Sequence, residues 1–597
     1  MPSDGRAGVT PLPYNNPSGS RLQFALTGMA VAAMLARDAG GNYLIPMWIA
    51  CCIQLPALLH WCQQQFAGRR REVRASRLDQ GLTLAMLLTA VGLGLQAQSV
   101  DASFIAATTF VAGMLLMERL DALGSRVEEA ITEPGRIAVL VFRPWLLMLL
   151  AGTVLLALPL STQSSVPDYR HNFWLHVGQS AFSSVSAGCL VGISAYSYGE
   201  DYTFFGQAIL FVLTQLSGMA FAALGLAAAH PFLRQAISLR SILLVAFGMQ
   251  LTAMCLMYPC WQATDAPAAA SRIWFGLVHA SDAMWNSGWM LRTDGLGEYL
   301  RQPIVFACVV ILAVTGSLGL PHILDLIAGA RRVQAPQAQW TDSLPPRGVP
   351  PWKQLASWEA GAALVALMTC AACIFLWETP RFLPESMVTS RPVDFGGGRV
   401  SIRDDMSHAE RWMRSVYLAS TLRSAGMQSM PLSEGAVAWP TWILMLGAML
   451  LGGSIAGTAG GMRTTTLLLP LICTFLPRLS WTSHPGGYEV RRLLLRGALQ
   501  AIAVMCGVAA VSVMLLFLTT DGTVYERVFD GVSTASNVGL TTGLSLHLTV
   551  FGRISMMLLM IAGRWAPLLI WLGVSHRLLA LTPPVARSKS IPQDRTE

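Results

Sequence analysis

Long apolar segments recur along the whole chain, and short polar turns or arginine-bearing loops separate them. An apolar helix of about 20 residues is long enough to cross a hydrocarbon core roughly 30 Å thick. On this measure the pattern predicts about twelve transmembrane helices. Four of them come early, near residues 22–37, 43–62, 80–98 and 102–117. The others are predicted to flank four shorter segments of a different kind.

Four polar stretches interrupt the later part of the chain, and each ends at a glycine that an apolar segment follows. They read SSVSAGCLVGIS, DAMWNSGWML, TLRSAGMQS and TASNVGLTTG, and their glycines are Gly192, Gly288, Gly426 and Gly539. These stretches are too short and too polar to span a membrane. Non-helical backbone at membrane depth is tolerated only where protein buries it or where it lines a watery cavity. Four such stretches therefore predict a shared aqueous axis, that is, a pore.

The backbone of such stretches suits a cation. The carbonyl end of each half-helix is negative and can face a cation at the centre of the pore. Glycine adopts left-handed backbone freely, and rings of carbonyl oxygens can replace the hydration shell of a potassium ion. Taken singly, each glycine is better explained as a packing or capping residue of a helix. The four together favour the pore.

Composition and charge agree with a membrane protein. The 597 residues are 53% hydrophobic and 12% charged, and the mean hydropathy is +0.50. The net charge of +8 comes with arginines in alternate loops, near residues 69–77, 119–126, 234–240, 331–332 and 478–496. With both termini in the cytoplasm, these loops all lie on the cytoplasmic side, as the positive-inside rule requires. The arginine-bearing loop 378–411 would lie outside, but the rule applies to short loops and this loop is long. The basic charge therefore indicates topology and not a nucleic-acid partner.

Enzyme and metal-site chemistry is not indicated. All eleven cysteines lie in or beside apolar segments, and the pair Cys370 and Cys373 has no second pair or histidine cluster to complete a ligand set. The predicted crossing helices hold no paired acidic residues and no recognisable nucleophile motif. A polar lead of about twenty residues precedes the first apolar segment, which favours a retained first helix over a cleaved signal peptide.

The four glycine stretches resemble a known family. The stretch Ala181–Phe221 resembles the first pore loop and following helix of the Trk/Ktr/HKT superfamily of potassium transporters, which usually reads Ser-Ala-Thr-Cys-Val-Thr-Gly-Leu ahead of Phe-Gly-Gln. Gly188 and Val191 stand where threonines are common. The motif residues kept here are Ser186, Ala187, Cys189, Gly192 and Phe205-Gly206-Gln207. The stretches that resemble the other three pore loops are His279–Met290 (with Gly319, Pro321 and Asp325 behind it), Thr421–Ser429 and Phe529–Leu544. The match covers roughly residues 135–575 and has specific motifs in all four repeats.

The resemblance implies an all-α polytopic membrane protein. Four repeats of helix, pore loop and helix would surround a central pore, with about four extra N-terminal transmembrane helices. The implied division is a cytoplasmic N-terminus 1–21, an N-terminal transmembrane region 22–134, pore repeats 135–232, 233–335, 336–482 and 483–583, and a cytoplasmic tail 584–597.

The resemblance also implies a selectivity filter for potassium. Its carbonyl ligands would come from the residues at and just before the four glycines, that is, from Leu190, Val191, Gly192, Asn286, Ser287, Gly288, Ser424, Ala425, Gly426, Asn537, Val538 and Gly539. Family members with serine in place of Gly192 tend to admit sodium, so glycine here argues for potassium. Arg423 is expected to hold the architecture of this filter.

A glycine-rich segment is the candidate gate. The stretch Leu451–Thr466 reads LGGSIAGTAGGMRTTT, and its glycines are Gly452, Gly453, Gly457, Gly460 and Gly461. A phosphate-binding loop is excluded because lysine and a preceding soluble strand are absent, while a helix contact through Gly453 and Gly457 stays open. By resemblance, loop 452–463 obstructs the pore and moves on opening. Arg564, whose burial in an apolar helix costs about 2.5 to 3.5 kcal/mol, would lie beside this gate, either repelling cations or bonding loop carbonyls.

The function implied is potassium uptake across the bacterial cytoplasmic membrane, without enzymatic activity or a cofactor and with K⁺ as the transported ion. A sodium or weakly selective pathway of the same fold, or a non-conducting sensor derived from it, is the alternative. Relatives form homodimers on a separate cytosolic nucleotide-binding ring, so similar partners are expected here, with the lipid membrane around the chain and no nucleic acid.

Overall fold

The computed structural model describes residues 134–581 apart from short internal gaps at 164–172, 235–236, 262–268, 293–294, 298, 300–301, 335–354, 379–406, 424, 431, 433–436 and 476–486. The four early crossings predicted between residues 22 and 117, both termini, most of loop 378–411 and Ser424 lie outside the described residues.

Helices connected by turns make up this part of the chain. In chain order they are α1 (Pro134–Leu156), α2 (Phe173–Gly188), α3 (Phe204–Ala229), α4 (Leu239–Met257), α5 (Ala269–Trp285), α6 (Pro303–Leu318), α7 (Leu320–Gln334), α8 (Leu355–Glu378), α9 (His408–Thr421), α10 (Trp439–Leu450), α11 (Thr464–Phe475), α12 (Gly487–Thr519), α13 (Val524–Ala535) and α14 (Val550–Leu581). Extended pairing is limited, among the described residues, to the isolated bridges Thr162–Tyr202 and Leu451–Met462. The fold is therefore all-α, as predicted.

Six of the described helices are long and apolar enough to cross a membrane, namely α1, α3, α4, α8, α12 and α14. Helices α6 and α7 meet at 91°, where Gly319 has φ +81°, and together they would make a seventh crossing. Helix α10 stops after 12 residues, because the glycine-rich segment follows it. The chain is a polytopic membrane protein, as predicted, and two of the predicted crossings are broken ones. Their total number stays a prediction.

Each short polar helix packs against the long helix that precedes it. Helix α2 lies on α1, α5 on α4, α9 on α8 and α13 on α12. Neighbouring groups then meet through α3 with α5, α6 with α9, and α10 with α13, and the last helix α14 packs against α2 and α3. The helix contacts thus form a closed circle, because the last helix packs against helices of the first group.

The short helices start at the surface and end in the interior. Thr523 and Glu526 form a capping box at the start of α13, and Ser407 and Glu410 form another at the start of α9. These reciprocal bonds satisfy the first free N–H groups, and the acidic side chain suits the positive end of the helix. Along α13 the exposure falls from 64% at Val524 to zero at Ala535. The carbonyl end of the helix is therefore the buried end.

Helix α3 forms the centre of the packing. Of its crossing segment 72% is buried, against 28% for α1, α8 and α12, whose large apolar side chains are exposed. Small residues let its backbone approach its neighbours closely. Gly218 lies against the indole of Trp285, and Gly225 lies against the backbone of Ala456, 2.9 Å from where a Cβ would stand. Helix α3 therefore contacts both the second glycine stretch and the glycine-rich segment.

Candidate functional site

Three of the four short helices end in the same hydrogen-bonded turn. In each, a backbone N–H donates to the carbonyl five residues earlier: Val191 to Ser186 (2.9 Å), Ser287 to Asp282 (3.0 Å) and Val538 to Ser533 (2.9 Å). This bond defines a Schellman closure, which needs a left-handed residue just before the donor. Those residues are Leu190 (φ +56°), Asn286 (φ +56°) and Asn537 (φ +53°). The turn satisfies helix-end carbonyls and reverses the chain in one step.

Left-handed backbone at these positions is costly. Asparagine tolerates it because its side chain bonds locally, but in leucine the Cβ clashes with the backbone. Among the described residues, Leu190, Asn286 and Asn537 are the non-glycine residues with positive φ, and Leu190 is completely buried. Such strain persists only where the surroundings enforce it, and it concentrates at functional sites.

The third turn differs from the other three. The N–H groups of Ala425 and Gly426 both donate to Thr421 O, at 3.0 and 3.2 Å. The bond that spans five residues therefore ends on the glycine itself, one position later than in the other turns. The four turns are related but not equivalent.

The four glycines meet in a ring, here called the glycine ring: Gly192, Gly288, Gly426 and Gly539 with the residue before each. Their φ values are +85°, +77°, +61° and +97°. A Cβ on each glycine would collide with a neighbouring turn: on Gly192 with Ser287 O, on Gly288 with Val191 O (2.8 Å), on Gly426 with Val538 O, and on Gly539 with Val191 O. A Cβ on Gly288 would also touch Ala425 O of the third turn (3.4 Å). These contacts run from the first turn to the second, third and fourth and back to the first. The predicted filter residues in the described part are therefore brought together, carbonyl beside glycine.

Two asparagines anchor the second and fourth turns to the helices behind them. Asn537 Nδ2 donates to Met560 O of α14 (3.0 Å). In the amide orientation that satisfies both atoms, Asn286 Nδ2 donates to Ala313 O (3.2 Å) and its Oδ1 accepts from Ser317 N (3.1 Å), both on α6. In both turns, therefore, the asparagine with left-handed backbone is also the residue whose side chain is hydrogen-bonded to the helix behind it.

Two buried carboxylates brace the same two turns. Asp530 accepts from Thr541 Oγ1 (2.8 Å), Thr542 N (2.8 Å) and Thr542 Oγ1 (3.1 Å). Asp282 accepts from Ser287 Oγ. Sequence reasoning missed both carboxylates, although an acidic residue at membrane depth was a usable signal.

Indole and phenol groups support the first and second turns. Trp145 Nε1 donates to Gly188 O (2.9 Å), and Tyr202 OH donates to Ser183 Oγ (2.8 Å). Trp285 Nε1 donates to Gln215 Oε1 (2.6 Å), and Gly218 leaves the space in which its ring packs. The bulky Trp285 beside Asn286 is accommodated because α3 supplies both a small residue and an acceptor.

The glycine-rich segment between α10 and α11, here called the gate loop (451–463), is not helical. Its two ends are joined, because Gly452 N donates to Met462 O (2.8 Å) and Met462 N donates to Leu450 O (3.0 Å). Gly461 has φ +71°. The alternative of a helix contact through Gly453 and Gly457 is wrong, since neither residue lies in a helix.

The gate loop lies between the broken end of α6 and the fourth turn of the ring. Ser454 N donates to Ser317 O (2.9 Å) and Thr458 N to Gly316 O (3.0 Å). A Cβ on Gly453 or Gly457 would collide with Ser317 O, and one on Gly460 with Ser536 O. Glycine is therefore required at these positions for close backbone approach.

Three arginines bind five carbonyl oxygens of the gate loop. Arg463 Nη1 donates to Ser454 O (3.2 Å), Gly457 O (3.0 Å) and Ala459 O (2.8 Å), Arg564 Nη2 donates to Thr458 O, and Arg423 Nη2 donates to Gly452 O (3.1 Å). Arg564 is 1% exposed, and its guanidinium carbon lies 4.4 Å from the ring centroid of Phe221. Arg564 therefore bonds a loop carbonyl, and its positive charge lies beside the loop.

Arg423 joins the third turn to the gate loop. It follows the C-cap residue Leu422, and its guanidinium contacts Ala363 O (3.3 Å), Gly452 O and Thr464 Oγ1 (3.1 Å). These partners belong to α8 and to both ends of the gate loop. The described hydrogen bonds of its guanidinium therefore join the third turn to the gate loop and make none with a ring carbonyl.

Two further polar residues by the gate loop, His322 and Glu359, were missed. His322 Nδ1 lies 3.0 Å from Glu359 Oε2, and both side chains are buried. Glu359 stands inside α8, where a charge in an apolar segment was the available signal. For His322 the partner could not be foreseen, because Glu359 is 37 positions away in sequence.

Comparisons with known proteins give consistent results. A family model described as TrkH, cation transport protein, matches residues 228–575, more than half of the chain. The Ktr system potassium uptake protein B of Vibrio alginolyticus is 22% identical over 453 residues, which cover 70% of this chain and 87% of that protein. The potassium/sodium uptake protein NtpJ of Enterococcus hirae is 24% identical over 456 residues, 71% of this chain and 90% of that protein.

A solved structure is similar in fold. The crystal structure of the potassium transporter TrkH from Vibrio parahaemolyticus matches with a TM-score of 0.50 and 14% sequence identity. The match covers 84% of this chain and 96% of that chain. At this identity the likeness concerns the fold.

Proposed function

The chain belongs to the TrkH family of cation transport proteins, and we propose that it takes up potassium ions across the bacterial cytoplasmic membrane through the glycine ring. It is a transporter and not an enzyme. Potassium is its cargo, and no resident cofactor takes part. In this proposal four repeats of helix, pore loop and helix surround one pore, and the glycine ring is its selectivity filter.

The observation that carries the proposal is the closed order of contacts in the glycine ring. Each glycine faces the carbonyl that precedes the glycine of a neighbouring turn, so carbonyls from all four turns converge. A ring of carbonyls in place of a hydration shell is how proteins conduct potassium. The buried carbonyl ends of four half-helices add negative potential at the same place.

The gate loop is proposed to close the pore beside this ring. Its glycines allow backbone packing against α6 and the fourth turn, and three guanidiniums occupy its carbonyls. A cation would meet positive charge here and few free acceptors, so conduction requires the loop to move. Arg564 supplies the charge, and Gly452, Gly453, Gly457, Gly460 and Gly461 supply the freedom to rearrange.

Ion flux into liposomes tests the proposal. The purified chain, reconstituted in proteoliposomes, should carry K⁺ down its gradient, with a smaller Na⁺ flux under matched gradients. Empty liposomes and liposomes with the Gly192→Ser variant are the controls. Absence of K⁺ flux in well-reconstituted protein would overturn the proposal.

A sodium or weakly selective pathway is the second candidate. It is favoured by the similarity to NtpJ of Enterococcus hirae, whose name gives both potassium and sodium. The third turn, with its displaced hydrogen bond, is a second reason, because an unequal ring fixes its carbonyls less uniformly. Equal Na⁺ and K⁺ fluxes would establish this candidate in place of the first.

A growth assay distinguishes a non-conducting sensor from both transport candidates. A bacterium that lacks potassium uptake should grow at low potassium when it expresses this chain. Failure to grow, with the protein present in the membrane, favours the sensor.

We also propose a homodimer in the membrane, with both termini cytoplasmic, that associates with a separate cytosolic nucleotide-binding ring. The support is the resemblance to relatives that assemble in this way and the arginines of the predicted cytoplasmic loops. Native mass spectrometry of the detergent-solubilised chain should give twice the chain mass, and a single-chain mass would contradict the dimer.

A further inference from the structure

A buried histidine and glutamate join the gate loop to two helices outside the glycine ring. His322 lies on α7, just past the bend at Gly319, and Glu359 lies on α8. Their side chains are 2% and 0% exposed, with Nδ1 and Oε2 3.0 Å apart. Neither residue belongs to the ring or to the three arginines that bind the loop carbonyls.

Hydrogen bonds extend this pair to both ends of the gate loop. His322 Nδ1 lies 3.2 Å from Ser454 Oγ, near the start of the loop. Glu359 Oε1 accepts from Thr465 Oγ1, in the first turn of the helix that follows the loop. Ser454 Oγ donates to Leu318 O (2.5 Å), so it presents an acceptor to the imidazole.

Burial of such a pair is unfavourable by itself. Desolvation of two ionisable groups often exceeds their mutual attraction, so a buried pair contributes little net stability. The best-attested use of buried polar pairs is to fix one arrangement among several. Here the elements that the pair joins are the bent helix α7, helix α8 and the two ends of a glycine-rich loop.

We propose that His322 and Glu359 are positioning residues that latch the gate loop in its non-conducting arrangement. The proposal rests on the proposed function for its link to ion flux, but the latch itself is a statement about the loop. Release of the pair frees Ser454 and Thr465 together, and so both ends of the loop. Arg423 and Arg463, which Glu359 attracts electrostatically, then lose a neighbouring negative charge.

Two variants release the latch from opposite sides. Glu359→Gln removes the charge but keeps an oxygen that can accept from Thr465. Ser454→Ala removes the loop hydroxyl and leaves the histidine and glutamate in place. The matched control is Glu378→Gln, because Glu378 lies on the same helix, is 1% exposed and accepts from Ala438 N (2.9 Å), away from the gate loop.

Hydrogen–deuterium exchange of the full chain in detergent is the first measurement. Amides of the gate loop should exchange at least about threefold faster in Glu359→Gln and Ser454→Ala than in the unmodified chain, because the loop opens more often. Exchange in α12 and α14 should be unchanged, and Glu378→Gln should resemble the unmodified chain. Unchanged loop exchange in both variants, or equal acceleration throughout the chain, would overturn the latch.

Potassium flux in proteoliposomes is the second measurement. Both latch variants should raise K⁺ flux about threefold or more, at an unchanged ratio of K⁺ to Na⁺ flux, since the glycine ring is untouched. A raised flux with a lower ratio would contradict the latch, because it would mean damage to the ring. If neither the unmodified chain nor the two latch variants carry K⁺ flux while loop exchange still responds, the proposed function fails and the latch stands.

Discussion

The glycine ring and the gate loop use the same backbone group in opposite ways. In the ring, carbonyls of Val191, Ser287 and Val538 face the glycines of neighbouring turns, and the supporting side chains bind behind them. In the gate loop, five carbonyls accept from guanidiniums. A carbonyl left free can bind a cation, whereas one that accepts from arginine has a lone pair occupied and a positive charge beside it, so it binds a cation less well. The difference separates a place where an ion is bound from a place where it is stopped.

The charges behind the two regions differ in the same sense. Carboxylates brace the second and fourth turns of the ring through Asp282 and Asp530. Arginines brace the loop. Acidic oxygens near the ring favour a cation there, and positive charge near the loop disfavours one. Selectivity and gating are therefore expected to respond to different substitutions.

The largest expected effect is that of Gly192→Ser on selectivity. A side chain here must adopt φ +85° and meets Gly288 C at 2.6 Å and Gly288 Cα at 2.8 Å. The second turn has to shift, so the ratio of K⁺ to Na⁺ flux should fall about tenfold, which is about 1.4 kcal/mol. The measurement is paired flux in proteoliposomes.

Gly543→Ser is the matched control for this substitution. Gly543 has φ +101°, but a Cβ there meets nothing within 4 Å. It therefore carries the backbone strain without the collision. If both variants lose selectivity equally, the collision in the ring is not the cause and the assignment of the filter is wrong.

The next effect is that of Arg564→Gln on the gate loop. Glutamine keeps a donor for Thr458 O but removes the charge, so the flux of K⁺ should rise about fivefold at an unchanged flux ratio. Arg553→Gln on the same helix, whose side chain is 9% exposed, controls for loss of charge from α14. A fall in the ratio of K⁺ to Na⁺ flux would mean that Arg564 supports the ring. Selectivity and gating would then not respond to different substitutions.

A smaller effect is expected from the carboxylates of the ring. Asp530 uses both oxygens as acceptors, for Thr541 and Thr542, so Asp530→Asn must lose at least one of these bonds. Asp282 accepts from one hydroxyl, that of Ser287, and an amide oxygen can replace it. The flux ratio should therefore fall about threefold for Asp530→Asn and less for Asp282→Asn. Equal falls for the two variants would show that charge, and not bonding, is what these carboxylates contribute.

The sequence predicted features that depend on neighbouring residues, and it did not predict contacts between residues far apart in the chain. The membrane class followed from apolar length, and the four turns followed from glycine after a polar half-helix, because both signals lie within a few residues. Arg423 was expected to support the filter from its place in the third pore loop, but its partner Gly452, 29 positions away in sequence, gave no local signal. Glu359 and Thr465 are 106 positions apart. Periodicity carries no information about such pairs.

The smallest expected effect lies at the outer support of the ring. Trp145→Phe keeps an aromatic ring near Trp565 (centroids 5.2 Å apart) but removes the bond to Gly188 O. The buried carbonyl loses its partner, so unfolding free energy should fall by about 1 kcal/mol, measured as a lower midpoint in thermal denaturation. Trp274→Phe, which removes a less buried bond to Gln207 Oε1, should cost less. Because Trp145 bonds the end of α2 and not the glycine ring, the ratio of K⁺ to Na⁺ flux should stay constant. A changed ratio would mean that selectivity also depends on α1, and not only on the carbonyls of the ring.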